Sequence, residues 1–149
     1  MSSENATVTI TRQSGYQFLV DFGDGIPNLL ADEPPPLGER SGPAPNQMLL
    51  GAMANCLSAS LLFALQKFKQ DPGELTATAK AEMGRNENNR LRIVGVSVEL
   101  TLGKAASELE HLDRILGQFE EFCTVSMSVK QGIPIHVQVT DATGAKLKD

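Results

Sequence analysis

The sequence is poor in the residues that build metal centres. It has two cysteines and two histidines in 149 residues. No Cys-x-x-Cys or His-x-x-x-His nucleus occurs, and His111 and His136 stand well apart, so a four-ligand zinc site has nothing to start from. Basic clusters are also missing. Lys and Arg are scattered and outnumbered by Asp and Glu, for a formal charge of -5, which argues against a nucleic-acid surface. The opening stretch MSSENATVTI has neither a basic n-region nor an apolar h-region, so no secretory signal is read and the cytoplasm is the expected compartment. A permanent structural disulfide is uncommon there, and a cysteine pair is more often redox-active or simply reduced. At this length one domain over 1–149 is expected, with a real core.

What is present reads as α+β. Residues 7–11 (TVTIT) and 16–22 (YQFLVDF), joined by Arg12-Gln13-Ser14-Gly15, read as a hairpin, and 26–31 as a third short strand. The segment 32–45 holds five prolines and two glycines and is expected to be a stiff loop. From Asn46 to about Lys69 there is no proline and no charge before Lys67. About 24 helical residues would span roughly 36 Å. The run is apolar nearly all round, so it is either a buried helix or a membrane span. Asn46, Gln47, Asn55, Ser58, Ser60 and Gln66 dilute it, which favours a central buried helix in a soluble protein. One chain of this size is short of material to cover it, so a homodimer is expected. Asp71-Pro72-Gly73 ends the helix. Strands follow at 75–83 and 91–102 around the polar turn 84–90. Residues 105–122 carry Leu109, Leu112, Ile115, Leu116, Phe119 and Phe122 at helical spacing. A short helix is expected at 125–131, stopped by Gly132, then a last strand at 133–140 and a loose tail at 142–149.

Two residues stand out for chemistry. Cys56 lies inside QMLLGAMANCLSASLLFALQ, and Cys123 lies in FCTVS after a charged amphipathic segment. A thiol attacks as thiolate, and an ordinary thiol is mostly protonated at neutral pH. Cys56 is too deep in its helix for much help from the helix N-terminus, and burial raises its pKa, so it needs a cation from elsewhere. Arg12 in the hairpin turn and Arg40 in the proline loop are the two to try. Cys123 sits at a helix-to-helix junction, where free N–H groups of the next turn favour a thiolate without an arginine. Each cysteine alone also reads as a small buried hydrophobe. His111 is read on a solvated helix face and His136 on the exposed side of a strand. Asp32-Glu33 is read as a solvated turn, with general acid/base work as the other option.

At this point Asp32-Glu33-Pro34, Pro36-Leu37-Gly38 and the run from Pro45 through Asn46 and Gln47 to Cys56-Leu57 resemble the OsmC/Ohr superfamily. Phe122-Cys123-Thr124-Val125-Ser126 resembles that family's second motif, Cys-Pro-Val-Ser, and Gly132-Ile133-Pro134-Ile135 also fits. The resemblance runs from about Val8 to Val139. It implies an intertwined α+β homodimer with sites at the subunit interface and no metal, haem or flavin. It implies a peroxidase for organic hydroperoxides in which Cys56 becomes a sulfenic acid and Cys123 closes a disulfide on it. An external dithiol, carried on a lipoylated protein in some members, would reset the pair. The chain departs from the family pattern at two positions. Asn46, followed by Gln47, stands where a glutamate usually organises the arginine, and Thr124 stands where proline is usual. Arg12 matches the arginine of the Ohr-like branch. Arg40 lies near that of the OsmC-like branch, and Arg12 is the first choice. The alternative to the peroxidase is an OsmC-like protein without turnover, one that binds a ligand in its interface pocket or senses redox state. Neither nucleic acid nor a membrane is an expected partner.

Overall fold

The computed structural model describes residues 4–149; the first three residues of the stretch read for a signal lie outside it. The architecture is α+β, with three helices and antiparallel strand pairs. Contacts divide the chain into two units. One runs from the first described residue to Asn55 and takes in Ala77–Leu100; the other is Cys56–Thr76 with Thr101–Asp149.

In the first unit β1 (Thr9–Ser14) pairs antiparallel with β2 (Gln17–Asp21), and β2 with β3 (Leu29–Ala31). Ile10 stands opposite Val20, and Phe18 opposite Ala31. Val20 and Ala31 are buried, while Ile10 and Phe18 stay exposed. The proline loop that follows closes on itself, with the Asp32 N–H donating to the Pro43 carbonyl at 3.2 Å. Gly42 lies so close to the Leu30 carbonyl that a Cβ would overlap it, and Gly38 is as tight against Glu33 and the Asp32 carboxylate. The helix α1 (Pro45–Lys67) starts here. Pro45 is its first residue, where a missing N–H costs nothing. Gln47 reaches back with Oε1 to the Ala44 N–H at 2.9 Å, which is half of a capping box. The strands β4 (Thr76–Arg85) and β5 (Leu91–Thr101) form a second sheet. Their turn is fixed by Asn86, whose Oδ1 accepts the N–H groups of Asn88 and Arg90.

In the second unit α1 ends at Lys67, and the turn after it places Lys69 at a left-handed φ of 57° as the Gln70 N–H returns to the Leu65 carbonyl. Then come a 3-10 turn (Ala106–Glu108), α2 (Leu112–Gln118), a second 3-10 turn (Phe119–Phe122) and α3 (Thr124–Gln131). The single helix expected over 105–122 is therefore broken. Glu108 folds its carboxylate back onto the Ala105 N–H, Leu109 is extended, and the Glu110 N–H goes to the Gln70 side chain at 2.9 Å. His111 then sits at φ 62°. Leu109, Ile115 and Phe119 are nonetheless buried, so the apolar spacing survives the break that it conceals. The last strand is also shorter than expected. Pro134 lacks a donor, and only Val139–Thr140 (β6) pairs, with Lys146–Lys148 (β7) from the segment read as a loose tail. Among the described residues, Leu61, Leu65, Ile115 and Cys123 are the largest of the fully buried side chains.

A single chain leaves much of α1 uncovered, as its length leads one to expect. Along α1 only Met53, Ser60, Leu61 and Leu65 are buried, and Phe63 is 60% exposed. Apolar residues cover every side of α1, and the chain's own contacts cover one stripe. Among the described residues it is the one helix long and apolar enough to cross a membrane, by length and composition alone.

Candidate functional site

The two sulfurs meet in the second unit. Both cysteines are free thiols, Cys56 partly exposed and Cys123 fully buried. The Cys56 and Cys123 thiols are near enough for each to act on the other's acidity. Cys123 is the N-cap of α3 in an extended conformation, φ −83° and ψ 97°. Its Sγ accepts the Ser126 N–H at 3.4 Å. An orphan N–H of the first turn of α3 is thus turned to sulfur. The Ser126 hydroxyl is buried without a hydrogen-bond partner.

The pair is electrically unequal. Burial pushes the Cys56 thiol up. The Val125 N–H opposes this, and Cys123 adds to the rise. Burial acts on Cys123 too, but the polar groups around it, Ser126 first, then Cys56 and the backbone of Val125, outweigh it, so this thiol lies below its ordinary value. Of the two thiols, Cys123 is thus the more acidic. The more acidic thiol is the one shielded from solvent. No guanidinium is among the groups that act most on either sulfur.

The other predicted residues lie in the first unit. Arg12 donates Nε to the Gly15 carbonyl at 2.9 Å and so holds its own hairpin turn. Arg40 has φ 58° and lines a cavity of about 300 Å³ with Pro34, Gly42, Ala44, Asn46 and Gln47. Asn46 Oδ1 accepts the Gln47 N–H at 2.9 Å. Both amide oxygens are therefore engaged in the start of α1. Arg40, Asn46 and Gln47 share one cavity, as their closeness in sequence suggests.

Asp32 is neither a solvated turn residue nor placed for acid/base work. It is 2% exposed, and its carboxylate accepts the N–H groups of Glu33 at 2.8 Å, Ser41 at 3.0 Å and Glu39 at 3.1 Å. The Ser41 N–H is the main reason that its carboxyl stays below the usual range, against burial, with Glu33 and Glu39 adding to it. Two of these donors flank Arg40, so Asp32 sets the backbone that carries the arginine. The sequence signals for this were Gly38 and Gly42, which leave room for the close approach. His111 stacks its ring on Phe68 at 5.2 Å, with the Arg114 guanidinium 5.6 Å from the same ring. His136 is exposed and stands 3.6 Å from Asp149.

Comparison with known proteins follows this geometry. No curated protein matches the sequence. Among solved structures, the chain is similar to the organic hydroperoxide resistance protein OsmC from Legionella pneumophila, at 15% identity and a TM-score of 0.68 over 87% of this chain and 92% of that one. An OsmC-like protein from Mycoplasma pneumoniae gives 12%, 0.71, 89% and 91% in the same order. An organic hydroperoxide resistance protein from Elizabethkingia anophelis gives 22%, 0.61, 89% and 94%. At these identities the likeness is one of fold. The family model for OsmC-like protein matches residues 38–138, a span that holds Arg40, Asn46, Gln47 and both cysteines. With more than half of its length so matched, the chain belongs to the OsmC-like protein family.

Proposed function

We propose that the protein is a thiol-dependent peroxidase that reduces organic hydroperoxides. The observation that carries the reading is the pair of neighbouring free thiols, Cys56 on α1 and Cys123 capping α3, each acting on the other's acidity. Cys56 is the partly exposed sulfur and is the one that meets the peroxide. Its sulfur attacks the outer peroxide oxygen and the O–O bond breaks. The thiol proton goes to the departing alkoxide to give an alcohol. Cys56 is left as a sulfenic acid. Cys123 then attacks that sulfur, and hydroxide leaves as water with the remaining proton. The two thiols have lost two electrons, and an external dithiol returns them by disulfide exchange. Lipoylated proteins are the reductant class to test first. Arg12 is the first candidate for the guanidinium that would stabilise the Cys56 thiolate, with Arg40 second and Asn46 and Gln47 beside it. The proposed working form is an intertwined homodimer in the cytoplasm. The exposed apolar side chains of α1, Leu62 and Phe63 among them, support a partner surface.

Purified protein with a dithiol should consume cumene hydroperoxide, and Cys56→Ser should abolish this. One equivalent of peroxide should give a Cys56–Cys123 peptide by mass spectrometry. No turnover with several dithiols would reject the peroxidase. The raised Cys56 thiol and the neutral Asn46 favour a second reading, a ligand-binding or redox-sensing protein without turnover. A copurifying ligand with peroxide-inert thiols would support that one.

A further inference from the structure

We propose that the cavity of about 300 Å³ between the proline loop and the start of α1 binds a carboxylate, either a small carboxylic acid or the acid end of a larger one. This goes beyond the thiol-pair reading and does not rest on it. Pro34, Arg40, Gly42, Ala44, Asn46 and Gln47 line the cavity, and no Asp or Glu is among them. Arg40 is its one charged group. Among the described residues the ion pairs are made by Lys104 and His136, and the arginine hydrogen bonds by Arg12, Arg85 and Arg92. The Arg40 guanidinium therefore keeps its donors unspent.

The two amides add to this bias. Asn46 Oδ1 accepts the Gln47 N–H and Gln47 Oε1 accepts the Ala44 N–H, each at 2.9 Å. With the oxygens engaged, what each amide has left to offer is its NH2. The side chains of the lining thus present donors and no free acceptor. The backbone is also shaped to present the arginine. Arg40 stands at φ 58°, a left-handed conformation that costs free energy in a residue with a Cβ and that recurs at ligand sites. Buried Asp32 holds it there by accepting the N–H groups on either side, of Glu39 at 3.1 Å and Ser41 at 3.0 Å, while the Arg40 N–H goes to the Glu33 carbonyl at 3.1 Å. A cation fixed in this way, with nothing paired to it, has the form of a ligand anchor. Charge then selects the class. One guanidinium balances one negative charge, and its planar fork matches a carboxylate through two parallel hydrogen bonds. Glu33 and Glu39 lie close to it in sequence, and the chain carries a formal charge of -5, which disfavours a doubly charged phosphate.

Butyrate is the probe, titrated into the full chain at fixed ionic strength. The readout is the side-chain NH2 resonances of Asn46 and Gln47 in an isotope-labelled sample. Both should shift and saturate. Butyramide, of the same shape without the charge, should leave them in place. Arg40→Gly suits the backbone at φ 58° and keeps the fold, and it should weaken butyrate about tenfold or more. Asn46→Glu keeps the arginine and sets a carboxylate beside it in the cavity. It should exclude butyrate to a similar degree, read at Gln47. Equal butyrate binding in both variants and the unmodified chain, equal shifts from butyramide, or no saturable shift at all would overturn the proposal. Saturation by inorganic phosphate at lower concentration than butyrate would overturn the choice of a carboxylate. Peroxide turnover is not read in this titration, so failure of the peroxidase reading leaves its result intact.

Discussion

Asp32 in the first unit and Cys123 in the second use one device for different ends. Each is a buried side chain whose acceptor atom gathers backbone N–H groups from a nearby turn. The carboxylate is ionised at neutral pH anyway, and its hydrogen bonds move it further that way. It can only hold structure, here the loop around Arg40. The thiol starts near neutrality, so a few donors decide whether it carries charge. The same N–H groups that lock a loop in one unit prepare a reactive pair in the other. The intrinsic acidity of the acceptor makes the difference.

The hardest test of this contrast removes the sulfur and keeps the cap. Cys123→Ser retains a side-chain acceptor for the Ser126 N–H, so α3 should form. Turnover with dithiol should be lost, and peroxide should drive Cys56 to sulfinic acid, read as added oxygen mass. A chain that still cycles would place the second thiol elsewhere. Next in size is Leu65→Ala. Leu65 is fully buried on the helix that carries Cys56, and its truncation should cost about 2–5 kcal/mol in urea unfolding. If peroxide turnover survives in the folded fraction, the thiol geometry is more tolerant of repacking than the contrast implies.

A smaller effect is expected at the carboxylate itself. Asp32→Asn should lower the thermal midpoint at pH 7 and loosen the proline loop. The folded carboxyl lies below its ordinary value of 3.8, so its stabilisation is complete above that value and is lost as pH falls through the lower folded one. The gap between unmodified chain and variant should close in that acid window; a gap that persists below it would mean that the charge is not what matters. Least of all should change at Asp141, which accepts the N–H groups of Thr143 and Ala145 and the Thr143 hydroxyl in an exposed turn. Asp141→Asn should leave the midpoint where it is and speed hydrogen exchange only in the C-terminal hairpin. An effect as large as that of Asp32→Asn would show that burial is not what separates the two carboxylates.

Much of this was legible before any coordinates. Pro45 and the uncharged run after it mark α1, and the Asp71-Pro72-Gly73 turn marks its end, because helix starts and stops are local chemistry. Cys123 was readable as a capped thiol for the same reason. The break at Leu109–His111 was not, since buried Leu109, Ile115 and Phe119 keep helical spacing across it, and the Gln70 side chain that diverts the backbone is remote in sequence. The burial of Asp32 was hidden too, because its partners are backbone groups whose position depends on the loop as a whole. Cys56 was expected to need a cation. The groups that act on it, Val125 and Cys123, come from elements far along the chain, and no pattern around Cys56 announces them.

The unequal exposure of the two sulfurs gives the oxidised protein a polarity. A reductant arriving from solvent can touch Cys56, while Cys123 has no accessible surface. Exchange also runs faster when the departing sulfur is the more acidic one, and that is again Cys123. Access and leaving-group ability select the same route, so the transient mixed disulfide with the electron donor should form at a single address, Cys56.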